Sequence, residues 1–120
     1  MFPGIKYQTA RVTIPSGVKG GTIPIQDFKL DTNFIRATGM YIPEIESFSP
    51  PIRMSVQDKK QTYQQLTHIR DYVATVNVPY DDRFKDIDIE AKGNKLELHF
   101  ERIEDMAEAV SFDIVFLLKK

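Results

Sequence analysis

The chain has 120 residues, of which 42% are hydrophobic and 28% are charged, and its formal net charge is −1 at pH 7. These values are typical of a globular domain, and they exclude a disordered chain and a strongly basic nucleic-acid binder. Cysteine is absent, which excludes disulfides, thiolate metal sites and cysteine nucleophiles. We therefore expect a single domain over residues 1–120, with residues 1–6 as a candidate flexible arm.

Nothing in the chain predicts a membrane span or a secretory signal. The longest apolar run, residues 114–118, is far shorter than the roughly 20 residues that a helix needs to cross a bilayer. Residues 1–14 contain no cationic segment followed by an apolar stretch, which a secretory signal would require. We expect synthesis in the cytoplasm and no membrane partner.

Apolar and polar residues alternate in several segments, as they do in half-buried strands. The alternation predicts strands at residues 10–14, 22–25, 33–42 and 52–57. Pro24 predicts that the second of these is an edge strand, because proline cannot donate to a ladder. Gly39 predicts a bulge in the third.

Residues 62–74 are compatible with two structures. Leu66, Ile69, Tyr72 and Val73 have helical spacing, but the segment is rich in residue types that favour strands. We predict a strand followed by a loop rather than one helix.

The C-terminal third contains the clearest strands. Residues 86–90 and 95–101 alternate on either side of a turn, which predicts a β-hairpin with Gly93 and Asn94 at its tip. Residues 110–118 are apolar on both faces, with Val115 and Leu117 opposite the face that includes Phe116. Such a strand is covered on both faces, so it is either central to a sheet or buried against a second chain.

Seven or eight short strands in 120 residues predict an all-β fold. The predicted architecture is a two-sheet antiparallel β-sandwich, of either the jelly-roll or the immunoglobulin-like type. Strand spacing does not decide between these two topologies.

No arrangement of residues predicts catalysis or a bound ion. The acidic residues of segment 86–90 share the polar face of one strand, which is typical of a solvated surface rather than a calcium cage. His68 and His99 have no converging partners in the sequence, and the glycine-rich segment 16–21 lacks the end of a phosphate-binding loop. We predict no catalytic residue, no metal, no cofactor and no nucleic-acid partner, and therefore a protein that is not an enzyme.

Three segments resemble small β-sandwich virion proteins of bacteriophages. They are residues 78–84 (VPYDDRF), residues 86–89 (DIDI) and residues 112–116 (FDIVF). The resemblance implies a capsid decoration, spike, fibre or connector subunit that is located in the virion and binds copies of itself and other virion proteins. The resemblance assigns no function to any individual residue.

Apolar residues in exposed places are the candidates for such contacts. Phe2 and Ile5 lie in the candidate arm, and Phe48 lies in a proline-rich connection. Val115 and Leu117 form the second apolar face of the last strand. A glycan- or peptide-binding module is the alternative function, although tryptophan is absent and the five tyrosines are dispersed.

Overall fold

The computed structural model describes residues 4–43, 50–74 and 85–120, and most of these residues lie in β-strands. The strands are β1 (Ile5–Ile14), β2 (Gln26–Lys29), β3 (Arg36–Pro43), β4 (Ile52–Gln57), β5 (Thr62–His68), β6 (Val73–Ala74), β7 (Lys85–Glu90), β8 (Lys95–Arg102) and β9 (Val110–Lys119). One 3₁₀ turn, Ile69–Tyr72, lies between β5 and β6. Within the described ranges there is no α-helix, and none long and apolar enough to cross a membrane.

The strands form two sheets that pack face to face. The first sheet has the order β1-β9-β3-β7, and the two-residue β6 runs parallel to the end of β3. The second sheet has the order β2-β8-β4-β5. All pairings except that of β6 are antiparallel. The predicted all-β, two-sheet sandwich is therefore confirmed.

The pairing pattern identifies the topology as a jelly roll. Strands pair from the two ends of the chain inwards, β1 with β9, β2 with β8, β3 with β7 and β4 with β5. This is a long hairpin rolled upon itself, and the rolling also brings β9 beside β3 and β8 beside β4. An immunoglobulin-like domain would instead keep its first two strands in one sheet. Here β1 and β2 lie in different sheets.

The core lies between the two sheets and consists of every second residue of their strands. Successive side chains of a strand point to opposite faces of the sheet, so a sheet that buries one face buries every second residue. Phe116 of β9 stacks on Phe28 of β2, with ring centroids 5.2 Å apart, and so joins the two sheets. Other buried members are Val12, Ile14, Met40, Ile52, Met54, Val56, Ile89, Leu96, Leu98 and Ile114.

Several strand predictions agree with the structure. β4 spans the predicted residues, and β3 shows a register shift between Ala37 and Gly39, where the bulge was expected. Residues 62–74 form a strand, a 3₁₀ turn and a short second strand instead of one helix. The turn is held to the core by Tyr72, whose hydroxyl donates to the Met54 carbonyl at 3.2 Å. Burial raises the pKa of Tyr72, so this donor stays protonated.

The predicted edge strand at residues 22–25 is wrong, because the strand of this region begins only at Gln26. Of residues 22–25, only Ile23 is buried. Pro24 also has no N–H with which to join a ladder. The predicted position at a sheet edge still holds for β2, which pairs only with β8 among the described strands.

The predicted hairpin is also wrong, although both of its strands exist. β7 pairs with β3 in the first sheet, whereas β8 pairs with β2 and β4 in the second. A tight turn does join them, with Lys92 and Gly93 at positive φ and Asn94 N–H donating to the Ala91 carbonyl at 2.8 Å. In a hairpin the apolar residues of both strands would lie side by side. In the jelly roll they face each other across the core, which buries both sets.

Two residues of the candidate arm belong to a strand. Ile5 and Lys6 belong to β1 and pair with Lys119 and Leu118 of β9. The Lys6 ammonium also forms an ion pair with Asp31 at 2.5 Å. Residues 5 and 6 are therefore part of the sheet, and residues 1–3 lie outside the described residues.

Candidate interaction surface

Three of the five predicted contact residues lie on one surface. Ile5, Val115 and Leu117 all face outward from the first sheet, on the side opposite the core. Val115 and Leu117 belong to β9, which is central in that sheet between β1 and β3. Phe2 and Phe48 lie outside the described residues. We call this side of the first sheet the outer face.

The centre of the outer face is apolar and aromatic. Leu117 lies between Tyr7 of β1 and Gly39 of β3, and Val115 lies between Thr9 and Tyr41. The sequence alone does not predict the two tyrosines as contact residues. Their placement depends on which strands flank β9, and alternation within a single segment does not contain that information.

Exposure varies across this apolar centre. Val115 is 9% exposed and Tyr41 is 7% exposed, so the chain itself already covers them. Tyr7 is 40% exposed, while Ile5 and Leu117 are half-buried. The part of the outer face that a partner could contact is therefore the β1 side, around Tyr7 and Leu117.

Charged pairs border the apolar centre at both ends. Arg36 contacts Asp88 at 2.7 Å at one end, and Arg11 contacts Asp113 at 3.2 Å at the other. Each pair is largely exposed and joins neighbouring strands. An apolar, aromatic centre with a charged rim is the usual anatomy of a protein–protein interface.

The outward side of the second sheet is different. It carries mainly polar and charged residues, although Leu66 of β5 is also exposed. Its described ion pairs are Arg53 with Glu101 at 3.2 Å, Lys95 with Asp27 at 3.3 Å and His99 with Glu97 at 3.3 Å. These contacts join neighbouring strands or residues of one strand. This side is a solvated surface, so the two sheets present chemically distinct faces.

The histidines and acidic residues do not converge on a site. The His68 ring accepts from the Arg70 N–H at 3.1 Å and so caps the 3₁₀ turn, whereas His99 contacts Glu97. Asp88 is paired with Arg36. Among the described residues, no three histidine or acidic side chains are grouped as metal ligands would be.

An open cleft of about 550 Å³ lies at the end of the second sheet, lined by Asp27, Asp58, Asn94 and Lys95 among others. Asp58 is buried, and its oxygens accept from the Lys60 and Gln61 N–H groups, from the Asn94 amide and from the Tyr63 hydroxyl. Because all these donors belong to the protein itself, Asp58 locks the β4–β5 turn to the β7–β8 turn. Its carboxylate is structural and offers little to a ligand.

The electrostatics of Asp58 agree with this structural role. Burial by itself raises the pKa of Asp58, but the hydrogen bonds from Tyr63, Asn94 and the backbone outweigh it and lower that pKa from 3.8 to about 2. A carboxyl whose pKa is depressed in the folded state stabilises the fold above its unfolded pKa. That stabilisation is lost as the pH falls from about 4 to about 2.

Replacing Asp58 by asparagine is therefore expected to lower the free energy of unfolding by about 2 kcal/mol at pH 7, because the N–H and O–H groups that donate to Asp58 lose a charged acceptor. Between pH 5 and pH 2 the wild-type value should fall toward that of the variant. Urea unfolding followed by circular dichroism at several pH values measures both effects. Asp27→Asn, in the same cleft but exposed, is the control and should change stability little. Equal losses for both variants would contradict the assignment.

No protein-family model matches the chain, and a comparison with curated proteins finds no similar sequence.

Proposed function

We propose that this protein is a non-enzymatic structural subunit that self-associates, and that it is a component of a bacteriophage particle. A capsid decoration, spike, fibre or connector protein would have this role, located in the virion and in contact with copies of itself and with other virion proteins. The observation that carries the proposal is the contrast between the apolar outer face and the charged opposite side of the sandwich.

Fold architecture adds general support to the proposal. Jelly rolls occur in viral capsid proteins, but also in lectins and cupins. The architecture is therefore compatible with a capsid role but does not by itself specify one. Two of the three segments that resemble phage virion proteins lie in β7 and β9. The third, residues 78–84, lies outside the described residues.

Self-association would bury the part of the outer face that the chain leaves accessible. Tyr7 and Leu117 are adjacent across the β1–β9 pair, and Ile5 lies on the same face. Aromatic residues are enriched at the centres of interfaces, where they contribute much of the binding energy. The ion pairs at Arg11 and Arg36 would then lie at the rim and influence orientation more than affinity.

A charge placed in this face tests the proposal. Leu117→Glu is expected to weaken self-association roughly tenfold or more, because an unpaired carboxylate would have to be desolvated at the contact. Light scattering after size-exclusion chromatography measures the change, and circular dichroism checks that the variant is folded.

Leu66→Glu is the matched control for this experiment. Leu66 lies on β5 of the second sheet and is 42% exposed, so the same substitution there should leave association unchanged. Tyr7→Glu, at an exposed position of β1, supplies a second variant of the outer face. If Leu66→Glu disrupted association while both outer-face variants assembled normally, the proposed surface would be wrong.

The alternative is a glycan- or peptide-binding module. The observation in its favour is that Tyr7 and Tyr41 lie on the same face, with the ring of Tyr7 partly exposed. A glycan array with a saturable signal that Tyr7→Ala abolishes, from a chain that stays monomeric, would favour this function over self-association.

A further inference from the structure

Among the described strands, the edge of β1 that faces away from β9 differs from the other sheet edges. β2 has only four residues, and β5 has two register shifts relative to β4. β7 has six residues, with the exposed acids Asp88 and Glu90 along it. Short strands, bulges and charges are the usual protections of an edge against pairing with another chain.

β1 is longer and more regular than these strands, and its two charged residues, Lys6 and Arg11, are each paired with an aspartate of the same chain. It spans ten residues, Ile5–Ile14, and pairs with β9 without any register shift. It contains no proline, and the one charged residue on its core-facing side, Lys6, is paired with Asp31. Among the described strands, β9 is its only partner. β1 is therefore suited to accept a further strand.

The hydrogen-bond pattern shows which backbone groups face the free edge. Lys120 N–H donates to the Gly4 carbonyl at 2.9 Å, so this pair bonds directly. In an antiparallel ladder, bonded pairs alternate with non-bonded pairs. The even-numbered residues of β1 therefore bond to β9, and odd-numbered residues such as Thr9, Arg11 and Thr13 direct their N–H and C=O groups away from it.

The side chains of these odd-numbered residues belong to the outer face. An added strand would therefore extend both the sheet and its apolar face. The side of the sandwich beneath the edge is closed by side chains, since Gln8 bonds to the Lys29 carbonyl and to the Asp31 N–H. Among the described residues, none bonds to the outward backbone groups of Thr9, Arg11 and Thr13.

We propose that β1 pairs antiparallel with β1 of a second copy of the chain, with Thr9 opposite Thr9. This register pairs odd-numbered residues with odd-numbered residues over the whole of β1. It sets Arg11 opposite the Tyr7 ring, which a guanidinium can contact favourably, and Ile5 opposite Thr13. No like charges lie directly opposite each other on the outer face. The inference rests on the proposed function, because it names the contact through which two copies associate.

Pairing through β1 would join the two first sheets into one continuous sheet. The Tyr7 and Leu117 patches of both copies would then lie side by side on the same surface. The edge therefore supplies the backbone hydrogen bonds of the pair, and the two outer faces form one wider apolar surface.

Single cysteines test the register, because the natural chain has none. In the proposed pair, the two Thr9→Cys residues would have Cα atoms about 5.5 Å apart, within the range of a disulfide. Two Thr13→Cys residues would be separated by eight positions along the strands, or about 27 Å. Both threonines are exposed, so either substitution should preserve the fold.

The measurement is the rate of disulfide-linked dimer formation in oxidised glutathione, with light scattering of the reduced variants and of the wild type alongside. Thr9→Cys should cross-link at least tenfold faster than Thr13→Cys. A wild-type oligomer with equal rates, or a faster rate for Thr13→Cys, would overturn edge pairing and leave the proposed function standing. A strictly monomeric wild type would overturn both.

Discussion

Replacing Phe116 by alanine is expected to lower the free energy of unfolding by about 3–5 kcal/mol. Phe116 is fully buried at the centre of β9 and stacks on Phe28 of the opposite sheet with ring planes 16° apart. Its removal would leave a cavity at the place where the two sheets meet. Met40 lies beside it on β3.

Urea unfolding followed by circular dichroism is the suitable measurement, because the chain has no tryptophan to report by fluorescence. Phe116→Leu is the matched control and should cost less, about 1–1.5 kcal/mol, because most of the volume is retained. A loss below about 1 kcal/mol for Phe116→Ala would contradict the packing described here.

Replacing Arg102 by methionine is expected to cost about 3 kcal/mol of unfolding free energy. Arg102 is 3% exposed and lies on the inner side of β8, opposite Ile52. Its guanidinium donates to the carbonyls of Pro15, Ser16 and Gly21 at 2.8, 3.3 and 3.2 Å. The side chain thus holds the β1–β2 connection against the end of the sandwich, and methionine would leave these carbonyls without their donor.

Arg102→Lys is the control that keeps the charge. Lysine lacks the planar fork that reaches several carbonyls at once, so this variant should lose an intermediate amount of stability. If methionine were tolerated as well as lysine, the hydrogen bonds of Arg102 would contribute little.

Gly17 offers an independent test of the same contact. A Cβ atom at Gly17 would lie 2.7 Å from the guanidinium carbon of Arg102, so Gly17→Ala should destabilise the protein. The effect should be smaller in the Arg102→Met background, where the guanidinium is gone. Unfolding free energies of the two single variants and the double variant measure this coupling.

Most of the strands could be predicted from the sequence because each depends on local alternation. The whole of β4 and most of β9 follow from it. The apolar residues on both faces of β9 are compatible with a central strand or with burial against a second chain, and β9 is central in its sheet. The same alternation continues beyond residues 96–100 to Arg102, which therefore points inward. Arg102 could therefore have been predicted as buried by extending the alternation two residues beyond Phe100.

The pairing of strands could not be predicted in this way. The turn between β7 and β8 has the local sequence signals of a hairpin, yet β7 pairs with β3 and its apolar side faces that of β8 across the core. The outer face was only partly predicted for the same reason. Tyr7 and Tyr41 come close to Leu117 and Val115 only through long-range register, which one strand's own sequence does not encode.

The most direct test of self-association is the mass of the wild-type chain by light scattering, measured from micromolar to millimolar concentration. We expect a discrete oligomer at the upper end of this range, and a shift toward the single-chain mass when Tyr7 is replaced by glutamate. A single-chain mass at every concentration, unchanged by that substitution, would contradict the proposed function.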